Sequence, residues 1–154
     1  MQSSISIMSI QEEANLILRL YELRRESVMR TARDWYFRDF HPESYEDLDR
    51  AMWSEHSGHL RMVVTYWDMA AALVNNGAIS AQLFQDCNGE HIGVFAMIEP
   101  FLGQIRLVAP RFAVNLERLI DSTPDGRKLV ANTRERLKEM RARLAARQAA
   151  DATA

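Results

Sequence analysis

The chain has 154 residues, of which 47% are hydrophobic and 26% charged, with six Gly and four Pro. That is the composition of one globular domain, and it excludes collagen-like, low-complexity and disulfide-scaffold chains. The single cysteine, Cys87, leaves no internal disulfide, and neither an export signal nor an apolar run of about 18 residues can be read, so the expected location is the cytoplasm.

The formal net charge of −2 hides an uneven distribution. Residues 1–40 balance six Arg against six acids, residues 41–99 set two Arg against nine acids, and residues 100–154 set 11 Lys/Arg against six acids. The acidic middle and basic end nearly cancel, which points to complementarity within one fold or between two copies more than to a polyanionic partner.

Helical periodicity runs from residue 9 onward, and no alternating β-branched run competes with it, so the fold class is all-α. We expect about seven helices around two largely buried central ones, with a long N-terminal helix and an amphipathic, basic C-terminal helix. Ser9 and Glu12 form a capping-box signature, with Met8 placed to staple the first turn. The helix they open meets neither Gly nor Pro before His41-Pro42, and at 1.5 Å per residue it would be about 46 Å long. A compact chain of this size is only about 38 Å across, so this helix must bend, break or protrude.

Pro42 is expected in the first turn of a second, short helix to about Trp53, and Ser54 to Gly58 reads as a loop. The third helix, His59 to about Asn76, is apolar on nearly every side and stops at Gly77, a residue suited to the left-handed conformation. Ser80 caps a fourth helix over Ala81 to about Cys87, and Asn88-Gly89 ends it. The fifth starts near Glu90, is equally apolar, packs beside the third, and should break near Glu99 because Pro100 removes a backbone N–H. Pro110 is expected to open a sixth helix to about Asp121. A seventh follows Ser122 to Gly126, runs to about residue 148, and carries a seam of Val130, Thr133, Leu137, Met140 and Leu144. Residues 1–125 are thus expected to form a helical domain and residues 126–154 an arm packed on it or on a partner.

Few residues propose chemistry. His56 and His59 flank Ser57-Gly58 without a third ligand nearby, so they read as surface histidines and no metal site is expected. Cys87 has only His91 near it in sequence, across Gly89, and reads as a half-buried inert thiol. The third helix carries a polar stripe of Arg61, Thr65, Asp68 and Asn75, and the fifth is interrupted by Glu90, Glu99 and Arg106. Arg61, Asp68, Glu90, Glu99 and Arg106 therefore define either an ion-pair network that fixes helix register or a polar pocket around Asp68 and Glu99, closed by arginines such as Arg30 or Arg33. Arg134, Arg136, Lys138, Arg141, Arg143 and Arg147 flank the last seam as a basic surface, but no aromatic side chain interleaves them to stack on bases. No phosphate loop, dinucleotide fingerprint, serine elbow or di-iron motif is present, and nothing calls for a cofactor.

Leu20-Tyr-Glu-Leu-Arg-Arg-Glu26, Tyr66-Trp-Asp-Met-Ala-Ala-Ala-Leu-Val-Asn-Asn-Gly-Ala-Ile79 and Asn88-Gly-Glu-His-Ile-Gly-Val-Phe95, followed by Glu99-Pro-Phe101, together resemble a family of uncharacterised bacterial helical proteins, over roughly residues 15–120. The resemblance implies an all-α domain without an assigned activity, and it marks Trp67, Asp68, Asn76, Gly77, Glu90 and Glu99 for inspection. The expected function is a non-enzymatic interaction or scaffolding domain, a homodimer or a partner of another helical protein. A small-molecule or enzymatic pocket at Asp68 and Glu99, and nucleic-acid binding through the last helix, are the alternatives.

Overall fold

The computed structural model describes residues 9–153, which form an all-α fold. Met8, expected to staple the first turn, lies outside the described residues. In chain order the helices are α1 (Ile10–Arg25), α2 (Ser27–Arg38), α3 (Tyr45–Met52), α4 (Ser57–Asn75), α5 (Ala81–Cys87), α6 (Glu90–Ile98), α7 (Leu102–Ile105), α8 (Val114–Ser122) and α9 (Gly126–Ala152), with a 3-10 turn at Glu99–Phe101 between α6 and α7.

The Ser9–Glu12 capping box forms as read, but the long first helix breaks at Glu26, whose ψ of 143° is extended. The Glu26 carboxylate then accepts from the N–H groups of Val28 and Met29 and so caps α2. These bonds hold its pKa below the usual carboxylate value. The break lets Leu20 and Met29 both reach the core, which a straight rod could not do, while Val28 turns outward. Prolines open helices at neither predicted place. Ser44 supplies the cap of α3, in a second capping box with Asp47, and α4 begins two residues before His59. At α8 the chain first passes through Ala113 at φ 54°, so the helix starts at Val114 and not at Pro110. Gly77 takes the left-handed conformation at φ 81°, and the predicted break at Glu99 is the 3-10 turn.

α4 is the central helix. It packs against α2 on one side and α8 on another, and α6 closes on it; Leu60, Val63, Val64, Trp67, Ala70 and Ala71 are buried. Every residue from His91 to Ile98 is buried, so α6 is enclosed all round, as its composition requires. The hydroxyl of buried Tyr36 donates to the carbonyl of Val94 at 2.8 Å, which satisfies a polar group that burial keeps protonated well beyond its ordinary range.

α9 is held mainly by its first half. Gly126 packs so closely under α8 that an added Cβ would lie 2.0 Å from the Ile120 carbonyl oxygen. Val130 is buried and Leu137 partly so, but Met140 and Leu144 are exposed although the seam continues through them. The helix runs to Ala152, four residues beyond expectation, and is about 40 Å long.

Candidate functional site

The polar residues singled out in the sequence sort into three clusters and one groove. The first cluster joins α2, α4 and α6 at Glu90, the first residue of α6. Arg33 Nε donates to Glu90 Oε1 at 2.7 Å while its Nη2 donates to Oε2, a two-point pairing that raises the guanidinium pKa further. The indole Nε1 of Trp67 adds a third bond to Oε1 at 3.2 Å. Glu90 also sits at a helix N-terminus that has no side-chain cap of its own, where negative charge is favoured. Beside it, His91 is 2% exposed, with its ring against Trp67 and Phe84 and its Nδ1 unpartnered. Burial lowers its pKa to about 4 against the opposing pull of Glu90, so the imidazole is neutral at pH 7.

The second cluster centres on Asp68, in the middle of α4. Its Oδ1 accepts from the backbone N–H of Leu116 at 2.9 Å and its Oδ2 from Asn115 Nδ2 at 3.0 Å, while Asn75 Nδ2 donates to the Asn115 carbonyl. The N-cap residue of α8, Ala113, has no side chain able to cap it. Asp68 therefore acts as that helix's cap from another element, and its charge lies where the helix dipole favours it. Arg61 and Thr65, expected to continue the stripe, are exposed and bond only within α4. The stripe is thus part tertiary cap and part solvated face.

The third cluster clamps α9. Glu99 accepts from Arg134 Nη2 at 2.6 Å and from Arg127 Nη1 at 2.8 Å, and Arg134 Nε binds the Ala96 carbonyl. Arg127 also pairs with Asp121 and Glu117, and Arg106 reaches Glu117 at 2.7 Å and the Phe112 carbonyl. Burial alone would raise the Glu117 pKa, but hydrogen bonds from Arg106 and Arg127 hold it below the usual value.

Asp68 and Glu99 therefore share no hydrogen-bond partner. Arg33 belongs to Glu90, and Arg30 is exposed. The Glu90, Asp68 and Glu99 carboxylates each accept N–H donors on both oxygens. Glu117, central to the clamp with Arg127, was missed in the sequence. Asp121 and Arg127 come together only because the α8–α9 turn folds back through Asp125 at φ 54°.

Histidine and cysteine expectations also change. Cys87 is exposed, not half-buried. His56 and His59 are half-buried, with His56 stacked on Trp35 at 5.0 Å between ring centres, so they are packing residues and not surface ones. Among the described residues no group of three or more His, Cys, Asp or Glu is arranged to hold a metal ion.

The basic face of α9 divides in the same way. Arg134 is spent in the clamp, Arg136 and Lys138 bond to their own helix, and Arg141 is half-buried with its Nε unpartnered. Burial lowers the Arg141 pKa, with Glu43 opposing. Between α2 and the far half of α9 lies a cavity of about 1190 Å³, an open groove floored by Phe37, Leu137, Met140 and Leu144. Arg38, Asp39, His41, Arg141, Arg143 and Arg147 also line it, and Arg38 pairs with Asp34 and Asp39. A second recess of about 750 Å³ continues it along α2, sharing Phe37, Arg38 and Leu144.

No helix among the described residues is long and apolar enough to cross a membrane. No curated protein and no solved structure matches the chain. One family does match, over residues 9–123, from the cap of α1 to the residue after α8; it is described as a domain of unknown function. With the three polar clusters built mainly from residues inside that span, the chain belongs to the family Domain of unknown function (DUF4760).

Proposed function

We propose that the chain is a non-enzymatic, cytoplasmic helical interaction module that self-associates, with the body at residues 1–125 and residues 126–154 as an arm whose far half supplies the contact face. The observation that carries this reading is the continuation of the α9 seam past the body: Val130 is buried and Leu137 half-buried, whereas Met140 is 64% and Leu144 50% exposed over the groove floor. Apolar side chains in one row, buried at one end and bare at the other, are the surface that a second helical element would cover. The match to the family ends before α9 begins, which fits a body with an added arm. The separate sets of protein donors that Asp68 and Glu99 each hold support a structural role for these charges over a shared pocket, and the free Cys87 fits a reducing compartment.

Native mass spectrometry and light scattering of the full chain at up to about 100 µM test the reading. Wild type is expected as a dimer. Met140→Glu/Leu144→Glu is expected as a monomer of unchanged helicity. A monomeric wild type overturns self-association, and a dimer that survives both substitutions removes the arm from the interface.

A further inference from the structure

Self-association through α9 leaves open which surface of the second copy meets the groove, and charge decides against another α9. From Arg134 to Arg147 this helix carries six basic residues against Glu135 and Glu139, so two such segments side by side would repel. The opposite sign lies in one other stretch of the same chain. Between Glu43 and Glu55 stand Glu43, Glu46, Asp47, Asp49 and Glu55 against Arg50 alone. At the end of α3 in this stretch is Trp53, 85% exposed, with its indole Nε1 donating to Asp49 at 3.3 Å. An indole held on a short helix beside Glu46 and Asp49 has the chemistry that an apolar floor lined by arginines would accept. Aromatic anchors seated in such pockets dominate interface energetics.

Resting on the self-association proposed above, we infer that the groove between α2 and α9 receives the α3 segment of a second copy, with Trp53 on the floor formed by Phe37, Met140 and Leu144 and the acids of the α3 segment against Arg143 and Arg147. The exchange is reciprocal about a two-fold axis, so each copy gives one tryptophan and receives one. His41 lines the groove and α3 begins four residues later at Tyr45, and an isologous interface would use both surfaces in each copy.

Reciprocity gives a test by complementation on full-length chains. Arg143→Glu/Arg147→Glu makes the groove edge acidic, and Glu46→Lys/Glu55→Lys makes the α3 segment basic. Each double variant alone is expected to associate at least about tenfold more weakly than wild type, and an equimolar mixture is expected to restore a heterodimer. Trp53→Ala is expected to weaken the dimer with no change in helicity. If wild type dimerises and all three variants dimerise equally well, α3 is not the occupant although self-association stands. If the groove variant is monomeric but mixing restores nothing, the groove binds a different surface and this inference is overturned. A monomeric wild type overturns both this inference and the reading beneath it.

Discussion

Replacing His91 with Leu should remove an acid sensitivity built into the core. In the folded chain burial holds the imidazole near a pKa of about 4, whereas an exposed histidine in the unfolded chain titrates near 6.5. Between these values the unfolded state takes up a proton that the folded state excludes, so stability is full above pH 6.5 and falls as pH drops towards 4. At about 1.4 kcal/mol per pH unit of displacement, the loss is about 1 kcal/mol by pH 5.5 and about 3 kcal/mol in full. The lowered carboxylates Glu26, Asp47 and Glu117 act with the same sign, but their protonation begins near their own unfolded values of 3.8 to 4.5, so the upper part of the window belongs to histidine. His41, lowered by burial and by Arg141, adds to it. Leu occupies a similar volume against Trp67 and Phe84 and leaves no unpartnered Nδ1, so stability at neutral pH should change by less than about 1.5 kcal/mol. Urea unfolding at a series of pH values from about 7.5 to 4.5 measures both chains. A wild type whose stability is flat across that range, or a Leu variant that keeps the full slope, would refute the reasoning.

Two further perturbations test the polar clusters. Asp68→Ala should cost about 1–2 kcal/mol, because the Leu116 N–H and the Asn115 amide both lose their acceptor, while Asp68→Asn, which keeps one acceptor oxygen, should cost less than half as much; equal costs in denaturant melts would mean that capping is not the role. Glu90→Gln should cost about 2 kcal/mol by leaving the three-quarters-buried Arg33 side chain without its counter-charge, and the paired apolar replacement Arg33→Met/Glu90→Leu should recover most of that loss. A double variant no more stable than Glu90→Gln would show that the pair contributes more than mutual neutralisation.

The elements best read from sequence are those whose causes lie within a turn or two of chain. Ser9 with Glu12, Ser80 before α5, Gly77 after α4 and the stop of α6 before Pro100 all act over no more than about four residues, and each appears where expected. The enclosure of α6 was equally legible, because a helix apolar on all sides can only be buried. The break at Glu26 was not, since glutamate is an uncommon N-cap and nothing local forbids the helix from continuing. It follows from the packing of α1 and α2, in which the Tyr66 hydroxyl of α4 also donates to the Leu20 carbonyl.

Composition and periodicity thus determined that this protein is all-α, where most of its helices stop, and that Asp68, Glu90, Glu99 and Arg106 would need partners. Which partners they find was a tertiary decision. Glu90 meets Arg33 across 57 residues, Asp68 meets Leu116 across 48, and Glu99 meets Arg134 across 35. Such pairings depend on the angles at which helices cross and on the left-handed turns at Ala113 and Asp125 that aim α8 and α9. Arginines and carboxylates are plentiful along the chain, so charge alone permits many pairings; core packing selects one by fixing which helix faces meet.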